Sequence, residues 1–409
     1  MGVACCKGPV IDDNAEGKKS LNPVELSHFT LLRSIGKGAF GKVRVVQHKK
    51  TKKIYALKYI NKEKCFQTSV IDNIIAERNL LEAINNNFCC NMRYSFQDDE
   101  NMFMVIDLML GGDLSFHLER IGTFSEAQIA HLVAELSCGL AYLHSKNIVH
   151  RDLKPANGSY YLIVVLLDSE GHAHLADFNM ALRFKYDKPI TGVAGSMAYM
   201  APEILRKKGY FASIDWWSLG VMTFEMATSK RPFRAKTNEG LQNAILHEDV
   251  PREPLSKLTP EFSDFILRLL ERDVKRRIGV IEVGGLDSIK AHKFFKNINW
   301  PLLEQKKSKP LFVPDAKKAN YDPTHELEEL LLVDVPLKAR PRKKKVLQDR
   351  NHDETPEERA YRIIEEEFLV YDYSKINHDT ISMSSSDVFD IYENGEHIKP
   401  DTTSFLTEE

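Results

Sequence analysis

The 409-residue chain carries 56 basic and 58 acidic residues, and a formal charge of -2 leaves no bulk field favouring nucleic acid or membrane. Its length allows one large two-lobed domain with extensions, or two ordinary domains. Cysteines at 5, 6, 65, 89, 90 and 138 show neither metal-ligand spacing nor a secreted disulfide framework, which implies a reducing, intracellular setting; the longest apolar run, 160–167, falls short of the ~18 residues that span a bilayer.

In chain order, residues 1–25 lack apolar periodicity and read as a flexible leader with no signal-peptide core, so order is expected to begin near His28 and Phe29. From there to about Asn101, alternating segments at 31–35, 42–46 and 54–60 predict antiparallel strands, and 69–84 carries a helical pattern. After Gly111-Gly112 the pattern turns helical. In the clearest helix, 125–145, Ser125 stands at the cap and Ile129, Leu132, Leu136, Leu140 and Leu143 fall at helical spacing. The helical lobe runs to about Phe295. Beyond Trp300 the chain is less regular, with a basic run at 338–345, an acidic helical stretch at 355–367 and a tail, 376–409, that reads as disordered.

The chemistry concentrates in His150-Arg151-Asp152-Leu153-Lys154-Pro155-Ala156-Asn157 and Asp177-Phe178-Asn179. Such side chains suit phosphoryl transfer, which needs metal ions held, a hydroxyl positioned and charge neutralised rather than covalent help. Asp152 would orient the hydroxyl, and Asn157 and Asp177 would hold metal. Upstream, Gly36-Lys37-Gly38-Ala39-Phe40-Gly41-Lys42-Val43 lies between strand patterns, where glycines let a hairpin backbone approach phosphate oxygens. Alone it could be only a tight turn. Lys58 follows at strand spacing, and Glu77, nineteen residues on, supplies a carboxylate to hold it.

These motifs resemble the eukaryotic protein kinases over residues 29–295. The resemblance implies an α+β, bilobal fold, with a small antiparallel-sheet N-lobe (29–108) and a larger helical C-lobe (109–295), using ATP and Mg2+. It implies Lys154 on the transferred phosphoryl. ATP contacts would come from Ile35, Gly36, Lys37, Gly38, Ala39, Phe40, Gly41, Val43, Ala56 and Lys58, from Ile106 as gatekeeper, from Asp107 and Met109 at the hinge, from Asp113 at the ribose, and from Leu166 and Asp177. Ala201-Pro202-Glu203 resembles the end of an activation segment, with Arg277 expected to pair with Glu203; Leu81, Met92, His150 and Phe178 resemble a stacked spine. Asp177-Phe178-Asn179, Asp322-Pro323-Thr324-His325-Glu326-Leu327-Glu328-Glu329 and Phe368-Leu369-Val370-Tyr371-Asp372-Tyr373 are similar to the YANK serine/threonine kinases of the AGC group. That likeness implies an extension, 296–375, whose aromatics return to a groove beside the Glu77 helix, with Asp372 where many relatives carry a phosphorylatable residue.

Departures shape the expectations. Asn179 replaces the usual Gly and is expected to tolerate a left-handed backbone there. Gly192 occupies the usual phosphothreonine position, which favours a loop ordered without phosphorylation over modification of Thr191. Glu225 could face a basic substrate residue, Ala156 replaces an acidic one, and Met180 leans toward serine. Residues 158–164 are an insertion between Asn157 and the strand at Leu166, so the competing reading is a catalytically impaired kinase-fold binding module; a retained piece of non-coding sequence is a third account. Finally, Met1-Gly2-Val3-Ala4-Cys5-Cys6 resembles an acylation signal, in which Gly2 with Cys5 or Cys6 would anchor an otherwise cytoplasmic protein to the cytoplasmic face of membranes. The expected partners are protein substrates with Ser/Thr acceptors, and no nucleic acid.

Overall fold

The computed structural model describes residues 23–37, 41–66, 70–154, 165–315, 337–338 and 355–375. The small lobe is a sheet of β1 (Phe29–Lys37), β2 (Gly41–His48), β3 (Ile54–Asn61), β4 (Met92–Gln97) and β5 (Asn101–Asp107), antiparallel in the order β1-β2-β3-β5-β4. Between β3 and β4 run the helices α1 (Lys62–Phe66) and α2 (Ile71–Glu82).

Period-two alternation sorts this sheet's side chains. Tyr55 and Leu57 of β3 join Phe103 and Val105 of β5 in one buried cluster, while Ile60, Met102 and Met104 join the core beneath α2. A register shift between Met92 and Tyr94 places Met92 in the α2-side core and leaves Tyr94 and Phe96 in the other cluster. Val24 and Leu26 are also buried in that cluster, so ordered packing starts earlier than the expected His28. Composition hid this, because two apolar residues among polar neighbours carry no period.

The large lobe begins with β6 (Gly112–Asp113) and α3 (Leu114–Ile121), then α4 (Glu126–Ser145). Ser125 caps α4 in a reciprocal box with Gln128, and Ile129, Leu132, Leu136, Leu140 and Leu143 are all essentially inaccessible to solvent. Each such burial contributes roughly 1.5–3 kcal/mol, which makes α4 the lobe's central post. The strands β7 (Ile148–Val149), β8 (Val165–Leu167), β9 (Ala173–Leu175) and β10 (Leu182–Arg183) follow, pairing as β6-β8-β9 and β10-β7. The remaining helices are α5 (Pro202–Leu205), α6 (Ser213–Thr228), α7 (Asn238–His247), α8 (Arg252–Leu255), α9 (Pro260–Leu269), α10 (Gly285–Lys290) and α11 (Trp300–Glu304). Among the described residues, no helix is long and apolar enough to cross a membrane.

The C-terminal extension returns to the small lobe. Helix α12 (Pro356–Glu367) packs against α1 and α2, and β11 (Tyr371–Asp372) adds a sixth strand beside β4. Phe368 is fully buried; Gln97 Nε2 donates to the carbonyls of Ile364 and Phe368 at 3.1 and 3.0 Å, and Ser95 Oγ to that of Leu369 at 2.8 Å. Tyr373 packs edge-on to Tyr94 and beneath the Arg93 guanidinium. Asp372 is neutralised locally: Ser374 donates to its Oδ1 from both N and Oγ, and Lys375 stands 3.4 Å from its Oδ2. The leader with Gly2, Cys5 and Cys6, the motif at 322–329 and the tail 376–409 lie outside the described residues.

Candidate active site

Sheet register assembles the upper half of the cleft. Gly36 pairs with Val43, Val43 with Lys58, and Ala56 with Ile106, so Val43, Ala56, Lys58 and Ile106 share one face of three adjacent strands. A second register shift, between Ser34 and Gly36, sets half-buried Ile35 apart from the ladder. Gly36, Lys37 and Gly41 form the described ends of the glycine-rich hairpin; Gly38, Ala39 and Phe40 lie outside the described residues.

Lys58 Nζ donates to both oxygens of Glu77, at 2.7 and 2.8 Å, so β3 and α2 meet at the pair named from spacing. Burial opposes the Lys58 charge, but the Glu77 and Asp177 carboxylates outweigh it and raise its pKa above the ordinary lysine value. Asp177 itself is pushed up to about 6, chiefly by burial, with Lys58 pulling the other way. Its Oδ1 accepts from Asn179 Nδ2 at 2.5 Å, and the Asn179 backbone also hydrogen-bonds the carboxylate. A largely desolvated carboxylate whose charge is disfavoured by burial fits a divalent cation, which would supply further counter-charge. Asn157, expected as the second ligand, lies outside the described residues, as do Ala156 and the insertion at 158–164.

The Asp-Phe-Asn turn differs from expectation. Asp177 adopts the left-handed backbone (φ 58°, ψ 74°), whereas Asn179 sits in a right-handed 3-10 turn. The substitution for Gly therefore does not serve backbone freedom; it supplies an amide side chain. Phe178, His150, Leu81 and Met92 are all buried in the core, with the His150 and Phe178 rings 5.3 Å apart.

The lower half is built on buried Asp215 of α6. Its carboxylate accepts from the backbone N of His150 (2.9 Å) and Arg151 (3.0 Å) and bonds His144 Nε2 (2.8 Å). Burial disfavours the Asp215 charge, but these partners hold its pKa below the usual carboxylate range. The loop so fixed presents Asp152 and Lys154 together, with Lys154 Nζ 2.7 Å from Asp152 Oδ2. Ser196, which motif reading passed over, completes the group. Its Oγ accepts from Lys154 Nζ at 2.7 Å, and its N donates to Asp152 Oδ1 at 2.9 Å. Gly195, at φ 101°, allows this approach, since a Cβ there would lie 2.4 Å from the Arg151 carbonyl oxygen. The only sequence signal for Ser196 was a hydroxyl five residues before Ala201.

At the hinge, Asp107 forms a two-point ion pair with Arg93 (2.6 and 2.7 Å), and half-buried Met109 leads to Gly111, whose N donates to the Leu167 carbonyl at 2.9 Å. Asp113 caps α3 through Phe116 N and pairs in register with Leu166. In β8, Val165 and Leu167 are buried in the core while Leu166 alternates to the other face. Lys306, just beyond α11, reaches Asp168 Oδ2 at 2.6 Å, tying the extension to the turn after β8. Further out, Glu203 and Arg277 pair at 2.6 and 3.0 Å, and Glu225, its pKa raised by burial, accepts from Tyr199 Oη at 2.6 Å. Arg151 Nε donates to the Met180 carbonyl at 2.6 Å, and Thr191 and Gly192 are exposed. His131, Glu135 and His172 also meet, buried, but the Glu135 carboxylate already bonds His172 Nδ1 (2.6 Å) and Ala173 N (2.8 Å), a staple between α4 and β9.

The sequence is similar to those of known proteins. The family pattern described as "Protein kinase domain" matches residues 29–295. Serine/threonine-protein kinase 32B of Homo sapiens is 36% identical over 384 residues, covering 90% of this chain and 88% of that one. Serine/threonine-protein kinase 32C of Homo sapiens is 35% identical over 389 residues, 92% and 76% of the two chains. Serine/threonine-protein kinase AtPK1/AtPK6 of Arabidopsis thaliana is 34% identical over 323 residues, 76% and 67%.

Proposed function

From the premise that this chain belongs to the protein kinase family, as an ATP-dependent serine/threonine kinase of the YANK type, we propose the following division of labour. Asp152 accepts or orients the proton of the attacking Ser or Thr hydroxyl, and Lys154, held by Ser196, neutralises charge on the transferred phosphoryl. Lys58, positioned by Glu77, binds the ATP phosphates beneath the hairpin of Gly36, Lys37, Gly38, Ala39, Phe40 and Gly41. The adenine lies between Ile35, Val43 and Ala56 above and Leu166 below, with Ile106 behind, the backbone at Asp107 and Met109 along its edge, and Asp113 at the ribose.

Asp177 and Asn157 would hold Mg2+. Bound magnesium supplies neutralisation of the phosphate oxygens. The observation that carries the reading is the group Asp152, Lys154 and Ser196: the Lys154 ammonium bonds the Asp152 carboxylate and the Ser196 hydroxyl, each at 2.7 Å, and the Ser196 backbone N bonds Asp152 at 2.9 Å.

The kinase domain would occupy 29–295, with 296–375 bracing it and serine preferred as acceptor. Exposed Thr191 beside Gly192, together with Arg151 already engaged by Met180, supports a segment ordered without phosphorylation. Acylation at Gly2 with Cys5 or Cys6 would hold the kinase on the cytoplasmic face of a membrane; lipid mass on the expressed protein, absent in Gly2→Ala, tests that. For catalysis, phosphorylation of serine peptides is compared for this chain, for a version lacking 158–164, and for Asp177→Ala. Activity of the first two and not the third supports the reading. Activity of the deletion alone would make the full chain a binding module.

A further inference from the structure

Asn179 is exposed, yet its side chain spans two charged groups of the site. Its Nδ2 donates to Asp177 Oδ1 at 2.5 Å, and its Oδ1 accepts from Lys58 Nζ at 3.3 Å, while Lys58 holds Glu77 at 2.7 and 2.8 Å. One amide thus joins the loop carrying Asp177 to the β3–α2 ion pair. Asp177 needs holding, because its left-handed backbone costs a residue with a Cβ of order 1–3 kcal/mol unless its surroundings fix it. The polarity fits. A neutral amide donates to the carboxylate and accepts from the ammonium, satisfying both without adding charge that would compete for a metal ion or repel a phosphate. The same link sits at the root of the segment leading to Thr191, one residue before Met180, whose carbonyl anchors Arg151.

We propose that the Asn179 side chain is a positioning residue. It clamps Asp177 and Lys58 in their metal- and phosphate-binding arrangement, so that this arrangement needs no modification of Thr191. The inference rests on the kinase reading above, with Asp177 as metal ligand.

Asn179→Gly removes the clamp, and Asn179→Leu removes its polar atoms while keeping the volume; an exposed position makes both compatible with folding. The probe is Mg·ATP binding to the full chain by calorimetry across a magnesium titration, with phosphate transfer to a serine peptide and unfolding temperature measured in parallel. Both variants should require about fivefold more magnesium for half-maximal ATP binding, the effect of one net hydrogen bond of ~1 kcal/mol. Unfolding temperatures should stay unchanged, and Thr191→Val should match the wild type in both binding and transfer. A wild-type magnesium midpoint in either Asn179 variant, or lost binding in Thr191→Val, would overturn the proposal. If the wild-type chain binds Mg·ATP but transfers no phosphate, the kinase reading fails while the binding arm still judges the clamp.

Discussion

Removing the Glu203 carboxylate should leave one of the most deeply buried charges in the large lobe uncompensated. Arg277 has no accessible surface, and Glu203 is the one carboxylate it reaches among the described residues, at 2.6 and 3.0 Å. What remains in Glu203→Ala is two carbonyl contacts, to Glu271 O at 2.9 Å and Ser213 O at 3.0 Å, and the Trp217 ring at 5.3 Å. Breaking a buried pair from one side costs about 3–5 kcal/mol, and the surviving cation–π contact, worth ~0.5–2 kcal/mol, favours the lower end. We therefore expect a loss of about 3 kcal/mol. Urea unfolding followed by the fluorescence of Trp216 and Trp217, both buried beside this pair, reads it directly. The double variant Glu203→Leu/Arg277→Met should lose less than Glu203→Ala alone, since it removes the stranded charge with its partner. A cost below about 1 kcal/mol in Glu203→Ala, or a double variant worse than the single, would refute the argument.

Three further outcomes follow from the geometry. Ser196→Ala should lower kcat by about tenfold with little change in KM for ATP, because it removes a charge-assisted hydrogen bond from Lys154 at 2.7 Å; an unchanged kcat would show the hydroxyl to be idle. Phe368→Ala empties a fully buried site, a change costing about 3–5 kcal/mol in a core, so the extension should undock and 355–375 become open to limited proteolysis while the large lobe stays folded; equal protection in the variant would contradict the docking. Asp168 is opposed by burial, but His174 and Lys306 hold its pKa far below the usual carboxylate range. Its contribution to stability is therefore present above the unfolded pKa of about 3.9 and is lost as pH falls below that value. Asp168→Asn should be less stable than wild type at pH 7, and the gap should close under acid; a gap that persists unchanged at low pH would contradict the assignment.

The parts of the site legible in the sequence were those carried by spacing within one element or between neighbouring ones. Lys58 and Glu77 lie nineteen residues apart and meet because antiparallel β3 hands the chain to α2 on the cleft side. Glu203 and Arg277 were also nameable, through motifs rather than pattern. What stayed hidden depends on tertiary geometry. Ser196 acts by the approach of Gly195 to the Arg151 carbonyl, which no local period records. The left-handed residue of the turn is Asp177, not Asn179, a backbone choice that residue identity alone does not reveal. β11 is two residues long and becomes a strand only by pairing with β4. Val24, read as leader, and Leu26, just before the expected start of order, pack against the sheet.

In the proposed mechanism, this chain moves a phosphoryl group with Asp152 at the acceptor. The direct measurement is phosphoserine formation on a peptide substrate by purified full-length chain with ATP, with and without magnesium, beside Asp152→Asn. Magnesium-dependent product is expected from the wild-type chain, with a collapse in Asp152→Asn, whose ATP binding stays intact. Equal product from the two proteins, or bound Mg·ATP with no transfer by the wild type, would contradict it.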